Sequence, residues 1–157
     1  MDNNNQPEDG MSEYQNILCV TDFSAASKRG IVRAVELAGH YQARLSLLHV
    51  IEHFPEDRSN EVIAPENVDP ASFRQEKARS ALAAIAKECG CESVRRELLV
   101  SSHSAGKPIV RFAEEHNTDL IVIGSHGHHG LAAILGSTAN TIMHSAPCDV
   151  LAVRAAG

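Results

Sequence analysis

Two kinds of hydrophobic pattern alternate along this chain. Short continuous apolar runs, the mark of buried strands, give way to longer stretches with apolar residues at three- and four-residue spacing, the mark of amphipathic helices. Asn16 to Thr21 is the first run. Ile31, Ala34, Val35 and Ala38 come next at helical spacing, predicting a helix over about 25–40. Either Ser24 or Ser27 could cap it. Leu45 to Ile51 reads as the second strand. Ala78, Ala81, Leu82, Ile85 and Cys89 form a stripe over about 71–89, closed by Gly90. Arg95 to Val100 reads as the third strand. Gly106-Lys107-Pro108 opens a helix with Ile109, Phe112, Ala113 and His116 on one face, proline being tolerated in a first turn. Leu120 to Ile123 is the fourth strand, Ser137 to His144 a helix, and Asp149 to Val153 the last strand.

Strict alternation of strand and helix predicts an α/β fold: one doubly wound, five-stranded parallel sheet with helices on both faces. In such sheets ligands bind beyond the C-terminal strand ends, where the strand order reverses. Asp22, Val50 and Gly124 all lie at or just past such ends. Residues 1 to about 13 are polar and aperiodic and read as a flexible tail ahead of a domain over 14–157, with Met11 an alternative start. The 52–70 connection is long and polar and carries Pro55, Pro65 and Pro70, a length that suggests mobility or function.

Composition narrows the class. The chain has 157 residues, which suits one domain. Aromatics are 4% and tryptophan is absent, so the core must be Val, Ile, Leu and Ala, as under a helix-covered parallel sheet. A net charge of −6 argues against nucleic acid as the main partner. No apolar run approaches membrane-spanning length and no leader pattern opens the chain, so a cytoplasmic protein is expected. Cys19 and Cys148 sit in apolar runs and read as core thiols. Cys89-Gly90-Cys91 matches neither a disulfide framework nor a C-x-x-C site.

The chemistry concentrates after the fourth strand. Gly124-Ser125-His126-Gly127 leads through His128-His129-Gly130 to Gly136-Ser137-Thr138. Glycine permits close backbone approach to a ligand, and a helix start offers unpaired N–H groups to an anion. From Leu120 to Cys148 there is no Asp, Glu, Lys or Arg. Any phosphate there would be held by backbone amides and hydroxyls. The spacing is neither a Walker A loop nor the G-x-G-x-x-G fingerprint. On spacing alone, a tight strand-to-helix connection and a phosphate cradle both stand.

Four segments together resemble the universal stress protein family. They are Asn16 to Ser24 with its Asp-Phe-Ser turn, Leu47 to Ile51, Asp119 to Gly127, and Ala146 to Arg154. The resemblance spans Ile17 to Arg154. It implies strand order 3-2-1-4-5 and a homodimer formed through the C-terminal strand, residues 149–154. It also implies, in one class of members, ATP bound at a G-x2-G-x9-G-S/T motif. Residue by residue, it puts Asp22 and Val50 near ribose and adenine. Gly124, Gly127, Gly136, Ser137 and Thr138 fall at the phosphates, with Ser125 and His126 inside the same loop. The ligand expected is ATP, or ADP or AMP, with Mg²⁺ a candidate companion.

The chain departs from that motif, because eight residues, not nine, separate Gly127 from Gly136. A residue lost from helix would move the downstream groups by about 1.5 Å and turn them about 100°. A residue lost from loop could be absorbed. Asp22 also has two readings, a ligand to ribose or Mg²⁺ and an acceptor for its own strand-end turn. His126, His128 and His129 would need a further partner to close a metal site, and none is expected. They could instead titrate between about pH 5 and 8 and act as a pH sensor. Nothing arranges a general base beside Ser125, Ser137 or Thr138, so the expectation is a binding protein and no enzyme, with at most slow ATP hydrolysis or autophosphorylation. The alternative within the family is a dimeric interaction module that binds no nucleotide.

Overall fold

The computed structural model describes residues 13–54, 63–125 and 135–155. The expected tail therefore lies, apart from Glu13, outside the described residues, as does the middle of the 52–70 connection. The elements keep the alternation read from the sequence: β1 (Asn16–Val20), α1 (Ala25–Tyr41), β2 (Arg44–Glu52), α2 (Pro70–Glu88), β3 (Arg95–Ser101), α3 (Gly106–Glu115), β4 (Leu120–Gly124), α4 (Ser137–Ser145) and β5 (Asp149–Val153). The five strands form one sheet in the order β3-β2-β1-β4-β5, and every neighbouring pair is parallel.

Alternation along each strand divides the core in two. Ile17, Cys19, Leu47, Leu120 and Val122 point to one face and pack with Ile31 and Ala34 of α1 and Leu82, Ile85 and Ala86 of α2. Leu18, Leu48, Val50, Ile121 and Ile123 point to the other and pack with Ile109, Phe112 and Ala113 of α3 and Ala139 and Ile142 of α4. Each fully buried Leu or Ile contributes about 1.5–3 kcal/mol. The central strands β1 and β4 are buried on both faces, which is why their sequences are unbroken apolar runs. Cys19 is fully buried and Cys91 nearly so, whereas Cys148 is only partly covered. No helix among the described residues is long and apolar enough to cross a membrane.

Two glycines set how closely helices approach this frame. A Cβ on Gly124 would stand 2.8 Å from the Ser27 nitrogen and 2.9 Å from the Ala26 carbonyl carbon, so α1 rests on the end of β4 backbone to backbone. A Cβ on Gly106 would stand 2.7 Å from the Thr141 Cβ, so the first turn of α3 rests closely on α4. Both contacts lie toward the end of the sheet where the strands finish.

Candidate functional site

The strand order reverses at β1, between β2 on one side and β4 on the other, and the candidate residues gather around that point. Asp22 and Ser125 stand just beyond β1 and β4, and Gly124 ends β4. Val50 lies two residues short of the end of β2, buried in the core on the α3–α4 face. Gly136, Ser137 and Thr138 begin α4. His126 and Gly127 lie outside the described residues, as do His128 and His129. Among the described residues no group of three or more His, Cys, Asp or Glu could hold a metal ion.

The turn after β1 is tied down by its own side chains. Thr21 still donates its N–H to Leu48 O at 2.9 Å, continuing the ladder one residue past β1. Its buried hydroxyl accepts from Phe23 N–H at 3.0 Å and meets the Ser27 hydroxyl at 3.0 Å. Ser24, the cap of α1, accepts from Ser27 N–H at 3.2 Å, which decides between the two serines. Asp22 is exposed and accepts from Ser24 N–H at 3.0 Å through Oδ1. The turn-acceptor reading of Asp22 is thus met, and a carboxylate can accept several bonds at once. Phe23, between them, has φ of 64°, a left-handed conformation that costs a bulky L-residue about 1–2 kcal/mol.

His49 of β2 buttresses this turn. Its Nδ1 lies 2.7 Å from Thr21 O, and its ring stands 4.4 Å from that of Phe23 at a tilt of 38°. A carbonyl can only accept, so Nδ1 carries the proton. Burial pushes the His49 pKa below its ordinary value, against smaller opposing effects of the Thr21 hydrogen bond and the charges of Asp22 and Glu52.

The glycine-rich loop is closed at its neck. Ser125 N–H donates to Val153 O at 2.8 Å, and Gly136 N–H donates to Ser125 O at 3.0 Å. The two ends of the loop are therefore held together beside β5. Gly136 is the N-cap of α4 and Ser137 its first residue. Of the shortened spacer, 128–135, only Leu135 is among the described residues, and α4 follows from Ser137.

Among the described residues four helices start at this end of the sheet, and they differ in what satisfies their first amides. Ser24 serves α1. Asp69 serves α2, accepting from Ser72 N–H at 2.8 Å. The amide entering α3, Ala105 N–H, donates to Glu52 Oε1 at 2.7 Å across 53 residues of sequence. The cap of α4 is Gly136, which has no side chain to offer, and among the described residues no other side chain accepts from that first turn.

Sequence reasoning named the strand-end residues and gave no site role to Thr21, His49, Glu52, Gly106 or Thr141. One signal was present. His49 is the polar interruption of an otherwise apolar run, Leu47-Leu48-His49-Val50-Ile51. A cleft of about 720 Å³ opens at the other end of the sheet, lined by Arg44, Arg95 and His116 among others. None of the candidate ligand residues lines it.

The strand order and the helices between the strands match one known architecture. The model of the universal stress protein family matches residues 13–154. The chain belongs to the universal stress protein family. It is 42% identical over 140 residues to universal stress protein A homolog 1 of Coxiella burnetii, covering 89% of this chain and 96% of that one. Among solved structures, a universal stress protein of Lactobacillus plantarum is 25% identical with a TM-score of 0.65, covering 91% of this chain and 99% of that one. A universal stress protein solved in complex with cAMP is also 25% identical, with a TM-score of 0.60, covering 92% of this chain and 100% of that one.

Proposed function

We propose that this universal stress protein binds an adenine nucleotide, ATP or its relatives ADP and AMP, across the C-terminal ends of β1, β2 and β4. The observation that carries the reading is the start of α4. Among the described residues no capping side chain serves it, and it comes directly after the glycine-rich loop; α3 also lacks a capping side chain, but Glu52 takes the amide of its cap residue, Ala105. Unpaired helical amides favour an anion through hydrogen bonding and the helix dipole. Glu52 already occupies the start of the neighbouring α3, so α4 is left to take the phosphates. A carboxylate accepts more than one bond, so Asp22 can serve its own turn and a ribose hydroxyl or Mg²⁺ together. The family relative solved with cAMP supports the adenine class of ligand.

The protein acts in this reading as a cytoplasmic homodimeric binding module. β5 is an edge strand with Val150, Leu151, Ala152 and Val153 half-buried, an edge that a second copy would close. The alternative, a dimeric module without nucleotide, makes an opposite prediction for one experiment. Titrating AMP or ATP into isotopically labelled protein should shift the amide signals of Asp22, Ser137 and Thr138 together. Unmoved signals at millimolar nucleotide would select the interaction module.

A further inference from the structure

We infer that His49 is a positioning residue for the nucleotide site: its Nδ1–H and ring hold the Thr21–Phe23 turn in the shape that presents Asp22. For its effect on nucleotide the inference rests on the reading above; for the turn itself it rests on contacts alone.

Two contacts and one backbone angle carry it. Nδ1 reaches Thr21 O at 2.7 Å, on the residue immediately before Asp22. The ring packs at 4.4 Å against Phe23, the residue immediately after Asp22. Phe23 is the residue held at a φ of 64°, a conformation that persists only where its surroundings fix it. His49 thus grips both neighbours of Asp22 from an adjacent strand, while Asp22 Oδ1 closes the turn on Ser24 N–H. The sheet register makes this possible. Val20 is paired with Leu48, so the next residues along, Thr21 and His49, stand side by side.

The grip requires one tautomer. Thr21 O accepts only from Nδ1–H, which leaves Nε2 without a proton in the neutral ring. Partial burial disfavours the imidazolium, so the neutral ring is the working form near pH 7. An aliphatic side chain of similar bulk would keep some packing and lose the donor. Asparagine, whose amide nitrogen falls near the Nδ1 position, would keep the donor and lose the ring.

The test uses the full chain with AMP as probe. The ring ¹⁵N spectrum of the unliganded protein should show His49 protonated at Nδ1. His49→Leu should shift the amide signals of Asp22, Phe23 and Ser24 and weaken AMP binding about three- to tenfold, the worth of one positioned hydrogen bond. His49→Asn should recover most of that loss. Protonation at Nε2, or a Leu variant with unmoved turn amides, would overturn the inference even if a variant proved too unstable to titrate with AMP. Unmoved amides on adding AMP to the wild-type protein would instead overturn the nucleotide reading, and the ring and turn signals would still decide the role of His49.

Discussion

Gly124 touches Ser27 through their main chains: a Cβ at Gly124 would come within 2.8 Å of the Ser27 nitrogen. The first glycine of the loop motif thus has a structural duty that needs no ligand. It lets α1 settle on the end of β4, and the same turn of α1 carries the Ser27 hydroxyl that meets Thr21. Gly124→Ala should cost about 1–3 kcal/mol of stability, because the obstructing atoms are backbone and cannot rotate away. Chemical denaturation of the nucleotide-free protein measures it. An unchanged midpoint would mean that α1 does not sit this close.

Gly106 makes a matching prediction on the other face. A Cβ there would stand 2.7 Å from the Thr141 Cβ, which no rotamer change relieves. Gly106→Ala should cost about 1–3 kcal/mol and displace the first turn of α4. Nucleotide affinity should fall more than affinity for adenosine, since α4 is the phosphate end of the proposed site. Equal losses for both ligands would separate α4 from phosphate binding.

His49 adds a pH dependence to stability. Its folded pKa lies below the ordinary value of 6.5, so the unfolded chain takes up a proton first as pH falls. The contribution is complete above pH 6.5 and is lost as pH drops toward the folded pKa. His49→Asn should flatten this part of the stability profile below pH 6.5, read as denaturation midpoints. An identical slope in both proteins would contradict the assignment.

Tyr14 should ionise above the ordinary tyrosine range. Its hydroxyl donates to Asp149 Oδ2 at 2.8 Å, and that bond, aided by burial and the Asp149 charge, pushes its pKa up to about 12. Stability from the pair holds below pH 10 and is lost as pH rises through the folded pKa. A phenolate titration followed by ultraviolet absorbance should therefore show a transition near 12 that is absent in Tyr14→Phe. A wild-type transition confined to the region of 10 would remove the bond.

The fold was legible because its signals are local. Apolar runs such as Leu120 to Ile123 and stripes such as Ile31 to Ala38 need only the neighbouring residues to be read. The strand order came from family resemblance, since periodicity is silent on which strands pair. The placement of Asp22 just past a strand and of Gly136 and Ser137 at a helix start was legible because strand ends and helix starts are. The contacts that shape the site are not local. Glu52 meets α3 across 53 residues, His49 meets Thr21 across 28, and Gly124 meets Ser27 with β2 and β3 between them in the chain. They depend on sheet register and helix docking, which no window of sequence contains. The spacer count still bears on the nucleotide reading, since α4 is described only from Ser137 and residues 128–134 lie outside the described residues.

The central claim is that the start of α4 and the Asp22 turn together hold an adenine nucleotide. Calorimetric titration of ATP, ADP and AMP with Mg²⁺ into protein stripped of copurified ligand tests it most directly. The account predicts micromolar binding that Asp22→Ala weakens at least about tenfold, as expected for a hydrogen bond to a charged group. Absence of heat up to millimolar nucleotide would contradict it and leave a dimeric module that works through protein partners.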